Sequence, residues 1–166
     1  MLVIKPDSEE AFEYPYPISE KDSVLIRFVY RPPIWEANKA YIEKRDIIIP
    51  SVFNGFQYPC NSGGFSGATE PTWGHISKEI TSDNQADWKA EPYDYLLLPG
   101  MNITASEFDC DGATLLTPSF TNDYAEVQTN LITAGVSQLV LSNLITYGTT
   151  DLKIRRTIII PVKAQR

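Results

Sequence analysis

Over the second half of the chain, apolar and polar residues trade places in short runs separated by turn residues. The runs "YDYLLLPG", "NITASEF", "YAEVQTNLI", "SQLVLSNLITY" and "DLKIRRTIIIPV" recur at roughly ten-residue spacing. Pro99-Gly100, Asp111-Gly112, Ala134-Gly135 and Gly148 fall between them as turns. In the last run, Leu152 and Ile154 alternate with Lys153 and Arg155, the pattern of a strand with one wet face. This rhythm predicts a β-sandwich. Nearer the start, "SVLIRFVY" (Ser23 to Tyr30) alternates imperfectly and predicts a strand buried largely on both faces, ended by Arg31-Pro32-Pro33. Before it, "IKPDSEEAFEYPYPIS" is acidic and broken by Pro15 and Pro17, so an extended arm is expected.

The stretch from Ile34 to Glu91 has its own texture and holds all three tryptophans, Trp35, Trp73 and Trp88. "DIIIP" reads as a short strand stopped by Pro50. "VFNGFQYPC" places Asn54-Gly55 between apolar flanks, which predicts a type I′ hairpin because that turn needs φ > 0 at both positions. "NSGGFSGATEPTWG" reads as a long loop, and "EITSDNQADWKA" as a turn-rich piece closing on a final strand. A small module of two or three strands follows, near the lower size for independent folding, with tryptophans supplying much of its core. The expected fold is therefore all-β: an antiparallel sandwich with an inserted small β-hairpin module. Residues 1–32 form the arm and first strand or strands, 33–91 the insertion, and 92–166 the remainder of the sandwich.

Charge narrows the function classes. The 166 residues carry a net charge of −7, which disfavours nucleic acid and anionic membranes as partners. The charge is uneven. Residues 1–22 hold six acids and two lysines, a net of −4, whereas residues 151–166 hold Lys153, Arg155, Arg156, Lys163 and Arg166 against Asp151, a net of +4. Such ends attract within one chain or between copies, although solvated strand faces and tails are commoner. No apolar run approaches the roughly 20 residues of a membrane span, and no signal-peptide core follows Met1, so synthesis in a cytoplasm is expected.

No motif carries catalytic chemistry. "GGFSGA" misses the nucleophile-elbow spacing, His75 is the only histidine, and Cys60 and Cys110 sit in no zinc pattern. One bridge between the two cysteines is allowed, and spacing does not decide it. "DCDG" (Asp109 to Gly112) opens like a calcium loop but lacks the remaining ligands, so a β-turn is expected. The expectation is a non-enzyme with no metal and no cofactor. Binding is the remaining class. Trp35, Tyr41, Tyr58 and Trp73 are candidates for an aromatic platform, since flat rings stack on sugars or protein surfaces. The competing reading makes these rings the module's core, and it is expected to hold for two of the three tryptophans. Trp73, at the end of a proline-fixed loop, is the ring most open to a surface place. In that loop, "SGATEPTWG", Gly67 and Pro71 are expected to shape the backbone, with Thr69 and Thr72 bonding to it.

From Ile34 to Glu91, "WEANKAYIEKRDIIIPSVFNGFQYPC", "GFSGATEPTW" and "ITSDNQADW" resemble a small module repeated across tailed-bacteriophage virion proteins, similar also to small chitin-binding modules. Trp35, Ala40-Tyr41, Asp46, Pro50, Asn54-Gly55, Tyr58, Cys60, Ser66-Gly67, Thr69-Glu70-Pro71, Trp73 and Trp88 carry the match. Arg45 stands where the pattern has Gly, and "SDNQAD" where it has an Asp-Gly turn. More loosely, "ITASEF", "LITAGVSQ", "LVLSNLITY" and "RRTIIIPV" resemble an Ig-like sandwich of phage head and neck proteins, with Phe108 in place of a Trp. The resemblance implies an Ig-like sandwich with the module inserted at Arg31-Pro32-Pro33 and Glu91-Pro92. It implies a virion protein made in the host cytoplasm, first a capsid decoration (cement) protein bound to the major capsid protein or other virion proteins, as a homo-oligomer such as a trimer. The alternatives it leaves are a neck, tail or fibre component, or a module that contacts host glycans.

Overall fold

The computed structural model describes residues 2–5, 12–13, 18–19, 23–132 and 137–163. Most of the acidic arm, the Ala134-Gly135 turn and Arg166 lie outside the described residues. The chain is all-β and divides into two compact units, one built from Met1–Arg31 with Tyr95–Arg166, the other from Pro32–Asp94. The first unit begins with β1 (Leu2–Ile4), β2 (Phe12–Glu13), β3 (Ile18–Ser19) and β4 (Leu25–Val29). The second holds β5 (Ala40–Tyr41), β6 (Ile47–Ile48), β7 (Phe56–Ser62), β8 (Gly64–Phe65), β9 (Ile80–Asp83), β10 (Ala86–Lys89) and β11 (Glu91–Pro92). The first unit then resumes with β12 (Ile103–Asp111), β13 (Ala113–Leu115), β14 (Ser119–Phe120), β15 (Tyr124–Ile132), β16 (Gln138–Tyr147) and β17 (Leu152–Lys163).

The first unit contains two sheets around one core. One runs β1-β4-β15-β13 with β14 also on β15, and the other β12-β16-β17-β2 with β3 also on β17. The longest ladder is antiparallel, from Gln138 opposite Pro161 to Tyr147 opposite Leu152. Three pairings are parallel: β1 with β4, and β2 and β3 with β17. Period-two alternation sorts the side chains. Ile26 and Phe28 of β4 with Ala125 and Val127 of β15 face Leu139, Leu141 and Ile145 of β16 and Ile158 and Ile160 of β17 in one buried cluster. Phe108 joins it, with its ring 6.0 Å from that of Phe28.

Three expectations change here. "SVLIRFVY" forms β4, but only alternate residues are fully buried, because the strand has one core face and one half-covered face. "YDYLLLPG" is not a strand. It bends around Leu97, which is fully buried and whose amide donates to the Tyr30 carbonyl at 3.1 Å. Asp111-Gly112, expected as a β-turn, is a corner between the sheets. β12 pairs with β16 in one sheet and β13 with β15 in the other, so the chain changes sheets at Gly112, whose φ of +94° suits glycine.

A buried polar link ties the two sheets. The Tyr30 hydroxyl, just past β4, donates to Asn143 Oδ1 of β16 at 2.7 Å. Asn143 Nδ2 in turn donates to Ser106 Oγ at 2.8 Å and to the Glu107 carbonyl at 3.0 Å, both on β12. Burial pushes the Tyr30 hydroxyl well above the ordinary tyrosine range, and the charge of Arg156 opposes this only in part. Tyr30→Phe keeps the ring but leaves the buried Asn143 oxygen without its donor. Urea unfolding of the full chain is expected to show a loss of about 1–3 kcal/mol, the cost of an orphaned buried acceptor.

Candidate functional site

The unit Pro32–Asp94 is more extensive than a two- or three-stranded module. Its main sheet runs β11-β7-β10-β9, with β6 also on β7, and β5 and β8 form a second short ladder. The hairpin at "VFNGFQYPC" exists, since β6 pairs antiparallel with β7, but Asn54-Gly55 is not a type I′ turn. The connection spans residues 49–55, and of the pair only Gly55 has positive φ, +88°. Asn54 works through its side chain: Oδ1 accepts from the Phe56 amide and Nδ2 donates to the Tyr58 hydroxyl. The tight hairpin lies elsewhere. Asp83 pairs with Ala86, so Asn84-Gln85 alone joins β9 to β10, with Asn84 at φ +58°.

That hairpin places Asp83 and Trp88 on one buried face. Asp83 Oδ2 accepts from the Trp88 indole at 3.1 Å and the Trp35 indole at 2.7 Å, while Oδ1 accepts from the Gly67 amide at 2.7 Å. One buried side chain thus joins the entry segment, the central strand pair and the "SGATEPTWG" loop. A β-carbon on Gly67 would lie 2.9 Å from Asp83 Oδ1, so glycine is what lets the backbone approach the acid. Around this centre the rings interlock edge to face, with Tyr41 4.7 Å and Trp73 6.1 Å from Trp88, and Tyr58 4.4 Å from Trp73 in a tilted contact. Ile48, Cys60, Ala86 and Ala90 fill the remaining space.

The loop is a clasp. Ser66 Oγ donates to the Glu36 carbonyl at 2.8 Å and accepts from the Lys39 amide at 3.0 Å. Glu70 Oε1 accepts from the Trp73 indole and the Ser51 amide, each at 2.8 Å, and Oε2 accepts from the Ser51 hydroxyl. The Gly74 amide donates to Thr81 Oγ1 at 3.0 Å, and its carbonyl accepts from the Tyr58 hydroxyl at 2.6 Å. Thr69 and Thr72 are exposed and make none of these bonds; Ser66 and Glu70 fill the role expected of them. Partial burial pulls the Glu70 carboxyl upward, but the bonds from Ser51 and Trp73 outweigh it and hold the group below its ordinary value of 4.5.

The proposed aromatic platform is corrected. Tyr41, Tyr58 and Trp73 are buried, Trp73 at 7% exposure, and Trp35 is half-buried with its indole bound to Asp83. Stacking needs an open ring face, and these rings pack inside the module instead, Tyr41 and Trp73 against Trp88 and Tyr58 against Trp73. Burial also pushes the Tyr41 and Tyr58 phenols upward. What stands exposed instead are aliphatic side chains beside the loop. Two open depressions of about 560 and 390 Å³ flank Pro71, Thr72 and Trp73, one bordered by Ile76 and Ile80, the other by Val52 and Phe53. Val52 is 82% and Ile76 72% exposed. His75 is exposed beside them, with Nδ1 3.3 Å from Asn54 Nδ2.

Cys60 and Cys110 are free thiols that burial pushes upward, the reverse of what activates a nucleophile. Among the described residues, no group of three metal-ligating side chains converges, and the "DCDG" acids lie along β12. Comparison with protein-family models, curated proteins and solved structures finds no match.

Asp83 and Glu70 are the organising residues that the sequence reading missed. The signal was available: buried indoles need acceptors, and taking Asn84-Gln85 as a two-residue turn puts Asp83 on the Trp88 face.

Asp83→Asn tests the arrangement with almost no change of shape. The amide keeps one acceptor oxygen, so it serves either the two indoles or the Gly67 amide, not both. A loss of about 2–4 kcal/mol is expected in urea unfolding followed by tryptophan fluorescence. Glu70 predicts an acid sensitivity. Because its folded pKa is depressed, its contribution is complete above the ordinary carboxylate value and is lost as pH falls through the lower, folded value. Melting temperatures recorded from about pH 6 to about pH 3 are expected to fall less steeply for Glu70→Gln than for the unaltered protein.

Proposed function

We propose that the chain is a structural protein of a tailed-bacteriophage virion, most specifically a capsid decoration protein. The two-sheet unit is read as an Ig-like sandwich that binds the head shell, and the tryptophan-rich unit as a displayed module. The observation that carries this reading is the construction of the module. The indoles and loop hydrogen bonds described above close on the module itself, while large aliphatic side chains stand exposed beside the loop. Such a surface suits contact with another macromolecule, because the exposed groups are apolar and the scaffold beneath them is held by its own hydrogen bonds and ring contacts. The module also enters and leaves the first unit between β4 and β12, and an insertion between strands leaves each unit its own core. The net charge of −7 suits an outer surface better than one facing packaged DNA. Many copies on a lattice let each contact be modest.

Occurrence and copy number in purified particles test this reading. Quantitative mass spectrometry with electron microscopy is expected to find the chain on the head at on the order of hundreds of copies, as avidity on a repeating shell requires. Roughly a dozen copies or fewer at a single vertex would move it to the neck or tail. Its absence from particles overturns the virion role altogether.

A further inference from the structure

In the unit formed by Met1–Arg31 and Tyr95–Arg166, one cation occupies a position that alternation assigns to the core. Along β17, Arg156 follows Ile154 and precedes Ile158 and Ile160 on the inward face, and it is 8% exposed. Its Nη1 donates to the carbonyl of neighbouring Arg155 at 2.8 Å. Its Nε–H is enclosed and meets no acceptor. Among the described residues, no carboxylate lies within ion-pair distance of it. Asn143, opposite Arg156 on β16, is already engaged, its oxygen by Tyr30 and its nitrogen by Ser106 and the Glu107 carbonyl.

Two other arginines of this unit show what the same edge of a guanidinium does when an acid is near. Arg27 places Nε at 2.9 Å and Nη2 at 2.8 Å from one oxygen of Glu126. Arg31 places Nε at 2.8 Å and Nη2 at 2.7 Å from one oxygen of Asp123. In Arg156 the single bond is made from the far side, by Nη1, and the enclosed Nε–H meets no acceptor. A buried guanidinium is costly unless it is paired, and its planar fork matches a carboxylate better than any neutral acceptor.

We propose that the Nε–Nη2 edge of Arg156 is a binding site for a free carboxylate, small enough to reach a residue so nearly enclosed. The site does not depend on the virion role. Acetate is the probe, with chloride at matched sodium concentration as the control. In the full chain, acetate is expected to raise the melting temperature beyond the effect of chloride. Arg156→Lys keeps the charge without the fork and is expected to lose most of that difference; Arg156→Met is expected to lose all of it. Should the Met variant fail to fold, proton–nitrogen spectra of the unaltered protein decide. The Arg156 Nε–H signal is expected to shift saturably with acetate and not with chloride. Identical responses to the two salts, or an acetate response that survives in Arg156→Met, would overturn the site.

Discussion

The tryptophan-rich unit turns on one side chain. Asp83 is buried at the end of β9, and the Trp35 indole, the Trp88 indole and the Gly67 amide all close on its two oxygens. Each of those donors belongs to a different part of the unit, and none could be buried without an acceptor. The acid therefore converts three local segments into one object. A unit of this size buries a smaller share of its surface than a larger domain does, and a satisfied polar hub adds specificity to the interlocked rings. Glu70 repeats the device on a smaller scale, with Trp73 and Ser51.

The larger unit solves the same problem differently. Its two sheets supply a continuous aliphatic core, and polar groups enter it sparingly. Tyr30, Asn143 and Ser106 satisfy one another across the sheets. Arg156 is the exception, a charged group on the inward face of β17. In the first unit the buried polar groups include the link across the sheets and the Arg156 Nε–H without an acceptor, whereas in the second they gather on Asp83, with Gln57 Oε1 left without a donor.

Legibility in the sequence followed the local nature of each signal. β12, β15, β16 and β17 were read from alternation between turn residues, which depends only on neighbours in the chain. The change of texture placed an insertion at residues 33–91, and the second compact unit is Pro32–Asp94. "YDYLLLPG" was misread because three adjacent leucines look like a buried strand, while Leu97 alone is fully buried. Asn54-Gly55 was misread because dipeptide preference does not report the longer connection that packing imposes. The ring platform failed for a tertiary reason. Composition locates aromatic residues but not the acceptors that draw their indoles inward, and Asp83 and Glu70 are ordinary acids until the hairpin and the loop bring them there. Arg156 is likewise one more basic residue in a basic strand until register assigns it a face.

Hydrogen exchange at individual indole and amide protons tests the central claim most directly. If Asp83 is the hub, the Trp35 indole, the Trp88 indole and the Gly67 amide are released by one opening event. Their exchange, followed by proton–nitrogen NMR under native conditions, then proceeds with a common protection and a common response to denaturant. Protection of Trp88 with free, independent exchange at Trp35 and Gly67 would contradict the account, and would leave the loop and the entry segment as separate attachments to a core built from Trp88 alone.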